Sequence, residues 1–126
     1  MKPNRLLVTT SVISMLLLTL HVTDDIVRGI SRAAPENMYG ISVAALLLYA
    51  TLVYPERKLG IISMLLTGLF AFGMPLLHLR GKHIGEIATG PGGFFFIWTL
   101  WALGIIGLFQ MILAIRELVL RRKQAR

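Results

Sequence analysis

Residues 94–115 read FFFIWTLWALGIIGLFQMILAI, a stretch without an acidic or basic side chain. Its length matches the roughly 20 apolar helical residues that cross the hydrocarbon core of a bilayer. Residues 6–23, 37–55 and 59–77 likewise contain no Asp, Glu, Lys or Arg. Because backbone amides in lipid must find partners within their own segment, all four stretches are predicted to be membrane-spanning helices.

The composition supports this prediction. Of 126 residues, 56% are hydrophobic and only 15% are charged, whereas about a quarter of the residues in a soluble domain are charged. The sequence predicts one all-α domain over residues 1–126, a four-transmembrane-helix bundle. Its helices are expected at about 6–28, 38–55, 59–79 and 94–118, followed by a basic tail at 119–126. The absence of cysteine excludes disulfides and thiolate metal sites.

The basic residues that flank the spans predict the orientation. One side of the membrane would hold the two termini and the middle loop, with Lys2, Arg5, Arg57, Lys58, Arg116, Arg121, Arg122, Lys123 and Arg126. The other side would hold Arg28, Arg32, Arg80 and Lys82. The positive-inside rule then makes both termini cytoplasmic. The formal charge of +7 indicates contact with anionic lipid headgroups and not with nucleic acid, since no nucleic-acid recognition motif accompanies it.

Histidine and acidic residues gather near the predicted outer end of the bundle. This group contains His21, His78, His83, Asp24, Asp25, Glu36 and Glu86. At 100° per residue, helical geometry puts His21, Asp24, Asp25 and Arg28 on one stripe about 100° wide. Arg28 is spaced to offset both aspartates, and Gly29 predicts that the helix ends near Arg28.

The favoured interpretation is a non-enzymatic polar cluster at the extracytoplasmic end. It would fix the helix ends and bind a small ligand, a lipid headgroup or a partner protein. Its predicted members are His21, Asp24, Asp25, Arg28, His78 and Arg80. A second interpretation makes the protein an accessory subunit of a larger membrane complex, or a homo-oligomer.

A third interpretation is a metal site, either in a metal-binding protein or in a metal-dependent membrane enzyme. His21 and Asp25 have i, i+4 spacing, which presents two ligands on one helix face. His78 and His83 would complete the set from elsewhere in the bundle. Imidazole and carboxylate ligands suit zinc or another divalent transition metal. A water molecule on that ion could carry out hydrolysis.

Small and polar residues inside the spans predict helix packing. Gly104 and Gly107 form a notch on the fourth helix, and Gly40 with Ala44 has the small-xxx-small spacing that lets helices approach closely. Gln110 is expected to make a hydrogen bond to another helix. No acidic or basic residue lies deep in a span, so the chain is not expected to carry ions or protons by itself.

Three stretches resemble parts of small four-helix bacterial integral membrane proteins. They are HVTDDIVRG at 21–29, PLLHLRG at 75–81 and FFFIWTLWALG at 94–104. The resemblance implies a compact multi-pass bundle in a bacterial plasma membrane. It brings with it no activity and no site residues.

Overall fold

The computed structural model describes residues 4–30, 35–79 and 89–124. These residues form four α-helices and no strand: α1, Arg5–Val27; α2, Pro35–Val53; α3, Lys58–Leu79; and α4, Pro91–Gln124. The all-α prediction is therefore confirmed. Helices α1 and α3 and residues Gly92–Gln124 of α4 are long and apolar enough to cross a membrane, whereas the apolar described part of α2 is the shorter Tyr39–Val53.

Local sequence sets both ends of α1. The Asn4 side chain caps the first turn by accepting a hydrogen bond from the Leu7 amide at 3.2 Å. At the other end Gly29 has a φ of 71°, which glycine adopts without steric cost. The amides of Gly29 and Ile30 donate to the carbonyls of Ile26 and Asp25, a Schellman motif. The predicted end of this helix near Arg28 is confirmed.

Prolines set the limits of α2 and the start of α4. The two helices begin at Pro35 and Pro91, where a missing amide hydrogen leaves no donor unsatisfied. Both begin about three residues before the positions that hydropathy predicts. Helix α2 ends at Val53 because Tyr54 precedes Pro55, and a residue before proline avoids helical backbone angles.

The predicted basic tail is helical over residues 119–124. Helix α4 continues to Gln124, so that Arg121, Arg122 and Lys123 belong to its last turn. The helix therefore continues about six residues beyond the predicted end at residue 118, through most of the basic tail. Positive charge at this position interacts favourably with the negative end of the helix dipole.

Helices α3 and α4 approach until their backbones nearly touch. A Cβ atom on Gly107 would lie 2.4 Å from the Phe72 amide nitrogen and 2.8 Å from the Gly68 carbonyl oxygen. The notch predicted at Gly107 is therefore a helix contact. At Gly40, where close packing is also predicted, a Cβ atom would meet nothing within 4 Å. The small residues of α2 thus leave space beside that helix.

Polar and apolar side chains alternate in layers inside the bundle. One apolar cluster contains Leu7, Ile61, Met64, Leu113 and Ala114, and another contains Leu17, Ala71 and Leu103. Between them along the helices lie buried polar residues: Ser11, Ser14, Thr51, Thr67 and Gln110. The Gln110 amide donates to the Met64 carbonyl at 2.5 Å, which confirms its predicted cross-helix bond.

A clamp at the other end ties three parts of the chain together. Arg121 Nε donates to Glu117 Oε1 at 2.8 Å, and Arg121 Nη1 donates to the Glu56 carbonyl. The Asn4 side chain donates to Glu117 Oε2 at 3.4 Å. Glu117 is only 7% exposed, and the arginine offsets its charge. The clamp joins the start of α1, the α2–α3 turn and the end of α4.

We expect Gly107→Ala to destabilise the bundle by about 1–3 kcal/mol, the typical cost of forcing an extra carbon into a packed core. The added methyl group would meet the backbone of α3, which cannot move aside as a side chain could. Thermal unfolding in detergent measures the effect. Gly73→Ala is the matched control, since a Cβ atom there meets nothing within 4 Å. Equal melting temperatures for the two variants would contradict the close helix crossing.

Candidate functional site

Three side chains from two helices converge near one end of the bundle. His21 and Asp25 of α1 meet His78 of α3, and one ligand atom from each lies within 4.8 Å of the others. His78 Nε2 is 3.3 Å from Asp25 Oδ2, and His21 Nε2 is 3.9 Å from Asp25 Oδ1. We call these residues the histidine–aspartate cluster. His21 is 0% exposed and Asp25 is 4% exposed, so the cluster is largely shielded from the surroundings.

Helix direction explains why these residues meet. Leu7 packs with Ile61, and Leu17 packs with Ala71, so α1 and α3 run in the same direction. Their C-terminal ends therefore lie side by side, with His78 in the last turn of α3. A carboxylate at this end of a helix faces the negative pole of the helix dipole and needs a positive partner.

The backbone of α3 fixes the orientation of His78. Its Nδ1–H donates to the Met74 carbonyl at 3.0 Å, and a carbonyl can only accept. Because Nδ1 carries the proton, Nε2 of the neutral ring holds the lone pair. Nε2 lies 3.3 Å from Asp25 Oδ2, and it donates to that oxygen when the ring carries a second proton.

Thr99 of α4 fixes His21 in the same manner. The hydroxyl of Thr99 lies 2.9 and 3.0 Å from the carbonyls of Phe95 and Phe96, and its single hydrogen is donated there. The hydroxyl oxygen therefore accepts from His21 Nδ1–H at 2.9 Å. His21 Nε2 is left with its lone pair directed at Asp25.

Two buried atoms of the cluster have no hydrogen-bond partner, His21 Nε2 and Asp25 Oδ1. Both are acceptors when the imidazole is neutral and the carboxylate is ionised. A proton on His78 Nε2 would form a hydrogen bond with Asp25 Oδ2 and would leave His21 Nε2 and Asp25 Oδ1 without a partner. A cation held among the three residues would bind those two atoms and His78 Nε2 together.

Phe96 completes the site from α4. Its ring centroid is 4.9 Å from that of His21 and 5.2 Å from that of His78, and the two imidazoles are 5.1 Å apart. Phe96 is 0% exposed, so it restrains both rings and helps to exclude water. Neither Thr99 nor Phe96 is among the residues predicted for the site. Their spacing of three residues, which puts them on one face of α4, was the feature of the sequence that could have indicated a shared role.

Asp24 and Arg28 form a separate ion pair. Arg28 Nε lies 3.0 Å from Asp24 Oδ1 and 2.9 Å from Oδ2. A Cβ atom on Gly92 would collide with the Arg28 guanidinium, which therefore lies directly against the start of α4. The predicted cluster divides in two, because Arg28 pairs with Asp24 while Asp25 faces the histidines. The expectation that Arg28 offsets both aspartates is wrong in this respect.

Two further residues of the predicted site cannot be compared with the structure. Arg80 and His83 lie outside the described residues. Their membership of the polar cluster and of the metal site, respectively, stays a prediction.

The fold and the cluster define a class of protein: an all-α bundle with three helices able to cross a membrane and a buried His–Asp–His cluster near one end. No family model, curated protein or solved structure matches the chain. The function is therefore inferred from the geometry of the cluster.

We expect Thr99→Val to destabilise the metal-free protein by about 1–3 kcal/mol, the cost of a buried donor that has lost its acceptor. Valine keeps the shape of threonine but cannot accept the proton of His21 Nδ1. Thermal unfolding in detergent with a chelator measures the loss. Thr19→Val is the control, since Thr19 is exposed and bonds only to its own helix. A Thr99→Val protein as stable as the control would contradict the assigned hydrogen bond.

Proposed function

We propose that this chain is an integral membrane protein that binds a divalent transition metal ion, with zinc as the test case, through His21, Asp25 and His78. The observation that carries the proposal is the pair of buried acceptors without partners, His21 Nε2 and Asp25 Oδ1. Burial of an unpaired carboxylate is costly. An ion bound by both atoms would offset that cost.

The distances suit this set of ligands. Zinc binds imidazole nitrogen and carboxylate oxygen at about 2.0–2.2 Å in a tetrahedral arrangement, so two ligand atoms of one ion lie about 3.3–3.6 Å apart. The His78–Asp25 separation of 3.3 Å matches this spacing, and the His21–Asp25 separation of 3.9 Å is slightly longer. The upper limit of 4.8 Å for the set calls for a closure of about 1.5 Å at most on binding.

The outer partners of both imidazoles also favour metal binding. Metal-ligating histidines almost always donate their second ring N–H to a carbonyl, a carboxylate or water, which fixes the tautomer and the ring orientation. His78 has the Met74 carbonyl in this position, and His21 has the Thr99 hydroxyl. In both cases Nε2 is the nitrogen left for the ion.

Three protein ligands would leave one coordination position for water or another ligand, the arrangement typical of catalytic zinc sites. The metal-dependent enzyme considered from the sequence would use this position to activate water. A purely hydrogen-bonded cap is less favoured, since it leaves His21 Nε2 and Asp25 Oδ1 without partners.

The membrane topology is also part of the proposal. With α2 as the fourth span, the chain would cross a bacterial plasma membrane four times with both termini in the cytoplasm. The basic side chains at the end of α4 support this orientation. The histidine–aspartate cluster would then lie near the extracytoplasmic surface.

We expect metal-free protein in detergent to bind one zinc ion per chain, and Asp25→Asn or His78→Gln to weaken binding by at least about 100-fold. Thr99→Val, which alters only an outer partner, should weaken it by about 10–100-fold. Isothermal titration and elemental analysis of washed protein give the affinity and the stoichiometry.

Asp24→Asn is the matched control for the zinc experiment, since it alters the neighbouring carboxylate, which pairs with Arg28. Its zinc affinity should equal that of the wild type. Wild-type protein that remains free of zinc at micromolar metal would overturn the proposal. The same affinity in Asp24→Asn and Asp25→Asn would remove Asp25 from the site.

The chain lacks cysteine, so single cysteines can report the topology. In intact bacterial cells, we expect Gly90→Cys to react with a membrane-impermeant maleimide and Lys123→Cys to react only after lysis, because α4 would cross the bilayer between them. The cysteine-free wild type supplies the background. The reverse labelling pattern would contradict the proposed orientation, and labelling of both sites from outside would contradict the crossing.

A further inference from the structure

An apolar groove of about 640 Å³ lies between α1, α2 and α3. Its walls include Met15 of α1, Ala44 of α2 and Phe70 of α3. Thr19 and Thr23 also line it, but their hydroxyls already donate to backbone carbonyls of α1 at 2.9 and 2.7 Å. The groove therefore suits a hydrocarbon chain better than a polar molecule. Its volume falls in the range of about 300–1,000 Å³ that is usual for ligand pockets.

One end of the groove lies at the same level along α1 and α3 as the histidine–aspartate cluster. Val22, Ile26 and Leu77 line the groove, and each is adjacent in sequence to one residue of the cluster. Met74 belongs to both features, because it lines the groove and its carbonyl accepts the hydrogen bond from His78. The same part of α3 thus forms a wall of the groove and holds His78 in position.

Charge indicates which end of an amphiphile would meet the cluster. A divalent ion with the single carboxylate of Asp25 and two neutral imidazoles has a net charge of about +1, and its open position accepts an oxygen ligand. An anionic oxygen at this position complements the charge. The groove lies between α1, α2 and α3, and α1 and α3 are long and apolar enough to cross a membrane, so in a bilayer it would be within reach of lipid chains.

We infer that the groove holds the acyl chain of a lipid whose phosphate group binds the metal ion of the histidine–aspartate cluster. The inference rests on the proposed metal site and names its ligand class. It also gives a role to the small residues of α2, which leave the groove open because they make no close helix contact.

Two glycines allow the groove to be filled without disturbing the helices. A Cβ atom on Gly40 or Gly73 would meet nothing within 4 Å, and both residues line the groove. Leucine at either position would occupy the space proposed for the acyl chain. Leu46 is 68% exposed and lies on α2 outside the groove, so Leu46→Phe is a control that adds bulk to the same helix.

The experiment uses the zinc-loaded full chain in detergent and two probes, palmitoyl lysophosphatidic acid and palmitoyl monoacylglycerol. They share an acyl chain but differ in the phosphate. Native mass spectrometry measures lipid binding and zinc content together. We expect one lysophosphatidic acid per chain, with at least tenfold weaker binding of monoacylglycerol. Gly40→Leu and Gly73→Leu should bind the phosphate lipid at least tenfold more weakly and keep their zinc, whereas Leu46→Phe should match the wild type.

Each opposite result overturns a defined part of the inference. Undiminished lipid binding by both leucine variants with zinc retained would overturn the groove and leave the metal site intact. Equal binding of the two lipids by the wild type, or lysophosphatidic acid binding that survives loss of zinc in Asp25→Asn, would overturn the phosphate contact. Wild-type protein without zinc would overturn the proposed function and this inference together.

Discussion

The buried carboxylate of Asp25 is the constraint on which the site depends. It lies in the last turn of α1, where the helix dipole is unfavourable for negative charge, and it is 4% exposed. One of its oxygens faces His78, and the other has no hydrogen-bond partner. The orientation of both imidazoles, set by Thr99 and by the Met74 carbonyl, is best understood as an arrangement around that charge.

The rest of the bundle holds this arrangement in place. The α3–α4 crossing at Gly68 and Gly107 brings two backbones together, and it determines where Thr99 and Phe96 of α4 stand relative to His78 of α3. Small residues at such a crossing supply the packing that lipid does not drive through hydrophobicity. At the opposite end, the clamp around Glu117 joins α4 to the start of α1 and to the α2–α3 turn. The site is thus built from helices that are fixed at their other ends.

The layers of the interior bear on what this protein does. Leu17, Ala71 and Leu103 form an apolar layer between the histidine–aspartate cluster and the buried hydroxyls of the middle layer. A path for ions would be expected to keep polar groups in sequence through the membrane. The interrupted arrangement favours binding or chemistry at one end of the bundle over passage through it. The groove lies on the α2 side of α1 and α3, at the level of the cluster.

Much of the fold followed from local features of the sequence. The uncharged stretches determined the helices, and Gly29 and the prolines determined several of their ends. The i, i+4 spacing put His21 and Asp25 on one face, because helical geometry depends only on neighbours along the chain. Hydropathy did not reveal that α4 continues through Arg121, because the last turn of this helix is charged. That turn is stabilised by the helix dipole and by the clamp around Glu117.

Only the tertiary structure decided how the helices face one another. Each span is apolar on most of its surface, so its sequence gives little indication of which side meets which neighbour. That rotation assigned Arg28 to Asp24, brought His78 to Asp25, and added Thr99 and Phe96, which carry no charge to mark them. It also left Gly40 facing open space instead of a helix. The sequence alone determined the segments and several of their ends, whereas packing between distant segments determined the partners of each side chain.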